Sequence, residues 1–150
     1  MPTIEQLDRR VTELETRVLG THTATLRTDT VVIGNLLWHT ATSRDRLKHK
    51  DAEAYCAALR TAGHADWRLP TIQELLSLVD YTRHDPAIDT DKFPDTQSNW
   101  YWSSSPDASS PADYAWFVYF NYGAAACGDR DGTAFVRAVR SVAPASEVKP

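Results

Sequence analysis

Two cysteines in 150 residues, Cys56 and Cys127, are too few for a disulfide scaffold or for a zinc site built from cysteine. The five histidines (22, 39, 49, 64 and 84) contain no HxxxH or HExxH pair, so no histidine metal site is expected. Nowhere does an apolar run approach the roughly 20 residues of a membrane-crossing helix, and membrane insertion is not expected. The opening Met1-Pro2-Thr3-Ile4-Glu5-Gln6 lacks the basic and apolar regions of a secretory signal. Basic residues are outnumbered, with 16 Lys and Arg against 20 Asp and Glu and a net charge of −4. A nucleic-acid partner is therefore not expected, because such binding needs a basic footprint to displace counterions. Ordinary globular composition, 42% hydrophobic and 24% charged, argues against wholesale disorder.

What the chain does have is a heptad and a crowd of aromatic rings. Ile4, Val11 and Val18 stand at position a, and Leu7 and Leu14 at position d. That narrow seam predicts a coiled-coil stem over residues 1–20, with an extended Thr-rich linker over 21–30. β-branched residues at a with Leu at d point to a dimer by core rules alone. About two heptads are marginal by themselves, so the rest of the assembly must hold the stem together. The rings are concentrated further on: nine of the fifteen Phe, Trp and Tyr fall between Trp100 and Tyr122. Such crowding makes either a compact core or a stacking surface.

Residues 31–141 read as one α+β domain, followed by a tail over 142–150. Val31 to Trp38 is a strand pair or bulged strand around Gly34-Asn35. A helix is expected from about Lys50 to Ala62 with Gly63 as its cap. Thr71-Ile72-Gln73-Glu74 is a capping box opening a second helix through Val79. A polar loop follows from His84 to Asn99. Then come strands at 100–103, 115–121 and 133–139 in an antiparallel meander, with Gly123 and Gly128 to Gly132 supplying turns.

Several blocks in this segment carry a family resemblance. They are Gly34-Asn35-Leu36-Leu37-Trp38, Glu53-Ala54-Tyr55-Cys56, Asp66-Trp67-Arg68-Leu69-Pro70-Thr71 with Glu74-Leu75, Tyr101-Trp102-Ser103-Ser104, Trp116 to Phe120, and Phe135-Val136-Arg137-Ala138-Val139-Arg140. In this order and spacing they resemble the C-terminal domain of bacterial collagen-like adhesins. The resemblance implies a C-type-lectin-like fold, related to formylglycine-generating enzymes and to the variable domains of phage tropism determinants. It also implies a trimer, which becomes the expected assembly with the dimer second, and core positions for Trp102, Trp116 and Phe120. Many members have a cysteine where this chain has Ala138, so Cys56 lacks its usual partner, and two free thiols are expected.

No catalytic set emerges. Ser103-Ser104-Ser105 is better read as strand-end hydroxyls, and Asp129-Arg130-Asp131-Gly132 as turn chemistry. Neither the calcium signatures of true C-type lectins nor a glycine-bearing calcium loop is present, so no metal and no cofactor is expected. The basic run Arg44, Arg46, Lys48, His49, Lys50 reads as a solvated helix entrance, with an anion site as the alternative. Arg68, Arg137 and Arg140 read as structural partners of carboxylates such as Asp66. With side chains alternating along a strand, Tyr101, Phe117, Tyr119, Asn121 and Tyr122 are expected on an outward face, with Arg130 from the adjoining turn. That face would take a host-surface glycan or protein, or a neighbouring subunit.

The expected function is thus a non-enzymatic oligomeric binding or structural module. A phage virion component is the leading form, a fibre tip, receptor-binding or decoration protein that also contacts other virion proteins. An exported lectin-like adhesin domain is the second form, and a degenerate oxidoreductase of the formylglycine-generating group the third.

Overall fold

The computed structural model describes residues 29–142. The heptad residues, most of the linker and nearly all of the tail lie outside them. Gly34 takes φ +63°, which a two-residue hairpin loop requires of its first residue. It joins β1 (Thr30–Ile33) to β2 (Leu36–His39), with Ile33 paired to Leu36. The last strand, β6 (Val139–Ser141), closes on the far side of β2, giving the order β1-β2-β6.

Helix α1 (His49–Ala58) buries His49, Ala52 and Cys56, whose spacing of three and four places them on one face. It ends four residues short of the expected Ala62, because Leu59 is already extended. Gly63, at φ +80°, closes a separate 3-10 turn at Thr61–Gly63 instead of capping the helix. Helix α2 (Ile72–Leu76) opens on the expected capping box. Thr71 Oγ1 accepts from the Glu74 amide at 3.1 Å, and the Glu74 carboxylate accepts from the Thr71 amide at 2.9 Å. Arg68 grips the same carboxylate with two bonds, at 2.8 and 3.0 Å. The helix stops at Leu76 rather than Val79, where the Ser77 hydroxyl donates back to the Glu74 carbonyl.

The second sheet is a meander of β3 (Trp100–Pro106), β4 (Tyr114–Tyr119) and β5 (Ala124–Asp129). Its third member differs from expectation, since β5 fills the span read as a turn. The expected strand at 133–139 is mostly single bridges, Leu47 to Ala134 and Tyr101 to Phe135, before Val139 joins the first sheet. Ala124-Ala125-Ala126-Cys127-Gly128 has none of the β-branched or aromatic residues that mark strands. Small side chains are required there. A Cβ on Gly128 would stand 2.4 Å from the Phe117 ring.

β3 is buried on both faces, and this overturns one expected facing. Trp102 belongs to a cluster with Leu37, Ala52, Cys56, Trp67, Leu69 and Val136. Its chain neighbour Tyr101 points the other way, into a cluster with Trp38, Leu75, Ile88, Phe93, Val118 and Phe120. Tyr101, expected outward, is therefore 0% exposed. Its hydroxyl accepts from the Gln97 amide at 2.8 Å and bonds the Thr42 hydroxyl at 2.8 Å. The opposite error falls on Trp116, expected in the core and found half-buried. The outward assignment assumed a sheet with one wet face, whereas α2 and the loop after it cover the second.

Among the described residues the two thiols are free, Cys56 buried and Cys127 half-buried. Burial pushes the Cys56 thiol up to about 12, so it is an inert packing group. Arg137 is the unusual core residue, with no exposed surface. Its guanidinium donates to the carbonyls of His39 and Thr40 at 3.2 and 2.5 Å, and to the hydroxyls of Thr42 and Thr96 at 3.1 and 2.8 Å. It also lies 4.6 Å over the Phe93 ring and 3.8 Å from Asp95. Backbone carbonyls and hydroxyls, more than a carboxylate, take up its two terminal nitrogens, while its buried Nε has no partner among the described residues. Arg140 meets the expected Asp66, and Arg68 meets Glu74.

Candidate functional site

Alternation along β3 and β4 places Trp100, Trp102, Phe117 and Tyr119 on one face, because Trp100 pairs with Tyr119 and Trp102 with Phe117. Their rings form a continuous strip. Trp102 stacks on Phe117 at 5.2 Å, Phe117 on Trp100 at 4.2 Å, and Trp100 on Tyr119 at 4.5 Å. Tyr119 then meets Tyr122 edge-on at 5.3 Å. The strip runs from Trp102, wholly buried, to Tyr122, 57% exposed. On β5 the residues opposite Phe117 and Tyr119 are Ala126 and Ala124, so that neighbouring strand raises no large side chain beside the rings.

At its exposed end the strip meets the loop after α2. Gly123, at φ +90°, turns the chain between β4 and β5, and a Cβ there would meet Val79 at 2.5 Å and Tyr81 at 3.3 Å. Tyr81, 76% exposed, thus stands beside the same turn as Tyr122. Asn121 is held from the same loop: its carbonyl accepts from the Asp85 amide at 2.7 Å, and its side-chain amide donates to Asp85 Oδ1 at 2.6 Å. Asp85 itself takes φ +55°, a conformation that Asp and Asn adopt more readily than most residues.

Of the expected set, Tyr119, Asn121 and Tyr122 are brought together at this end, Phe117 lies further in between the Trp102 and Trp100 rings, and Tyr101 lies beneath the other face. Arg130 is also misplaced. It follows Asp129, which ends β5 five residues and roughly 17 Å along the strand from Ala124. Its guanidinium is engaged there, donating to His49 Nδ1 at 2.8 Å and to the Pro111 carbonyl at 3.1 Å. Since an arginine only donates and a carbonyl only accepts, His49 is the tautomer with its proton on Nε2, given to the Ser103 carbonyl at 2.9 Å. Burial foremost, and then the Arg130 charge, hold the His49 pKa below its ordinary value, against the raising effects of the Ser103 bond and Glu53.

Other residues singled out in the sequence lie apart from the strip. Ser103 Oγ donates to the Trp116 carbonyl at 2.7 Å and Ser105 Oγ accepts from the Ile72 amide at 2.9 Å, so these hydroxyls serve the backbone. Arg44, Arg46, Lys48 and Lys50 are exposed around the start of α1, at the Arg130 end of the molecule. Among the described residues no three His, Cys, Asp or Glu converge as a metal site. Trp100, Tyr81 and Asp85 were not among the expected contact residues, Asp85 having been weighed only as an oxygen ligand for a metal. Trp100 shares the parity of Trp102 and was recoverable from it, but Asp85 lies 36 residues from Asn121 with no local signal.

It is the family match that gives this α+β head the class of an adhesin-like binding domain. The chain belongs to the Lcl C-terminal domain family, whose family model matches residues 28–140. That is the C-terminal domain family of collagen-like adhesins, which are exported or surface proteins. No curated protein matches the chain. Among the described residues no helix is long and apolar enough to cross a membrane.

Proposed function

We propose that this chain is a non-enzymatic binding head that recognises a host-surface ligand through the exposed end of its aromatic strip. Tyr119, Asn121 and Tyr122 form the contact set, with Phe117 stacked behind them through Trp100. The observation that carries this reading is the ring-to-ring continuity from buried Trp102 to exposed Tyr122, beside a strand of alanines. A ring anchored by stacking at its inner edge loses little freedom when a ligand covers its outer face. Tyr119→Ala and Tyr122→Ala are each expected to weaken binding to host cells or a glycan array at least tenfold, with the melting temperature within a few degrees of wild type. If either variant instead breaks an assembly into folded monomers, the face is a subunit contact and this reading fails.

The finer form of the proposal is a homotrimer, with a dimer as the alternative, joined through Ile4, Leu7, Val11, Leu14 and Val18. Its setting is a phage virion, as a fibre tip or decoration protein. The heptad spacing supports the first part and the likeness to phage tropism-determinant domains the second. Sedimentation should give three chains per particle, and Leu7→Asp with Leu14→Asp should weaken the assembly. Capsid and tail genes are expected beside its gene, whereas a secretion cassette there favours the exported adhesin.

A further inference from the structure

The polar groups at the exposed end of the strip select a class of ligand. We propose that Asp85, Asn121, Tyr81 and Tyr122 form a calcium-independent site for an uncharged sugar, an inference that rests on the binding role assigned to this face.

Three observations converge. The first is apolar surface: Tyr122 and Tyr81 are among the most exposed large rings of the described residues, and both border the Gly123 turn. Such rings stack on the C–H faces of a pyranose without any need for charge. The second is the Asp85–Asn121 pair beside them. Asn121 uses one side-chain amide hydrogen on Asp85 Oδ1, leaving its second amide hydrogen and its side-chain Oδ1 for a ligand. Asp85 Oδ2 has no protein partner among the described residues. A carboxylate oxygen that accepts, next to an amide that both donates and accepts, matches two neighbouring sugar hydroxyls. The third is space. An open cleft of about 400 Å³, lined by Thr82, Arg83, His84, Asp85, Pro86, Ile88 and Thr90, lies on the Asp85 side of the pair, with Asn121 and the two tyrosines outside its lining.

Charge decides between neutral and anionic sugars. The cation of this cleft, Arg83, is already paired with Asp80 at 3.1 Å and lies 3.7 Å from Asp89. The exposed basic residues Arg44, Arg46, Lys48 and Lys50 gather instead around the start of α1, at the Arg130 end of the sheet. A sulfate or uronate at the tyrosine end would meet the unneutralised Asp85 carboxylate. A hydroxyl would donate to it. A metal is not needed to orient the hydroxyls, because the loop after α2 and β4 already fix both polar side chains.

The test uses the full chain on an array of immobilised neutral oligosaccharides, with heparin and dextran sulfate as anionic probes, all in EDTA. Wild type is expected to bind at least one neutral oligosaccharide, and Asp85→Asn to weaken that binding more than tenfold. Asparagine tolerates the φ of +55° at this position, so the loop is retained, and an unchanged melting temperature verifies it. Tyr81→Ala should weaken the same binding while leaving the Asp85–Asn121 pair intact. Wild type binding only the anionic probes, with Asp85→Asn strengthening them, overturns the neutral-sugar assignment. Loss of binding in Tyr122→Ala but none in Asp85→Asn or Tyr81→Ala overturns this site and leaves the broader face standing. If Tyr119→Ala and Tyr122→Ala also bind every probe as wild type does, both the site and the proposed function fall.

Discussion

Replacing Arg137 tests whether a buried guanidinium is held for its shape or for its charge. In Arg137→Met the carbonyls of His39 and Thr40 lose their side-chain donors. A buried acceptor left unpaired costs about 1–3 kcal/mol. The hydroxyls fare better, because Thr42 keeps Tyr101 and Thr96 keeps the Phe93 carbonyl. Against the loss stands the desolvation of a cation with no exposed surface, which methionine removes. The net expectation is a destabilisation of about 2–4 kcal/mol. For a domain of this size that lowers the melting temperature by about 10 °C. Arg137→Lys should be worse than Arg137→Met. It keeps a buried charge, and one ammonium cannot replace a fork spanning the His39–Thr40 carbonyls and the Thr42–Thr96 hydroxyls. Urea denaturation of the three proteins measures the order. Lysine more stable than methionine, or methionine within about 1 kcal/mol of wild type, refutes the argument that the fork organises this core.

Two further outcomes follow from burial. Trp102→Ala should cost about 3–5 kcal/mol and Tyr119→Ala under about 1.5 kcal/mol, measured in the same denaturation assay, since only the first ring is wholly inside. His49 is held below its ordinary pKa of 6.5, so the unfolded chain binds more protons than the folded one as pH drops through that value. Stability should therefore be fullest above about pH 6.5 and fall on acidification toward the folded pKa, and His49→Gln should flatten that fall in denaturation midpoints at pH 7.5, 6.5 and 5.5.

Most of the fold was legible where local chemistry is strong. Gly34-Asn35 marked a hairpin, Thr71 to Glu74 marked a helix start, and the family blocks marked an α+β head. The misses have a common cause. Whether a strand is covered on one face or two depends on what the rest of the chain lays over it, and no local pattern in Tyr101-Trp102 reports the arrival of α2 and Phe93. Strand β5 was illegible because its alanines and glycine carry no β propensity, and Gly128 is small to leave room for the Phe117 ring. Arg130 looked available because the sequence shows an arginine in a turn but not the buried His49 ring to which it donates.

The double burial of β3 has a consequence for how the molecule comes apart. Tyr101 and Trp102 are joined by one peptide bond yet belong to different cores, and the Trp102 amide and the Trp100 carbonyl both tie β3 to Phe135. A sheet dividing two cores is a seam along which a domain can open in halves. Here the dividing strand is itself the shared member, so neither half can lose its packing while the other keeps β3 in place. The head should melt in a single cooperative transition, with damage on either side of the sheet felt on the other.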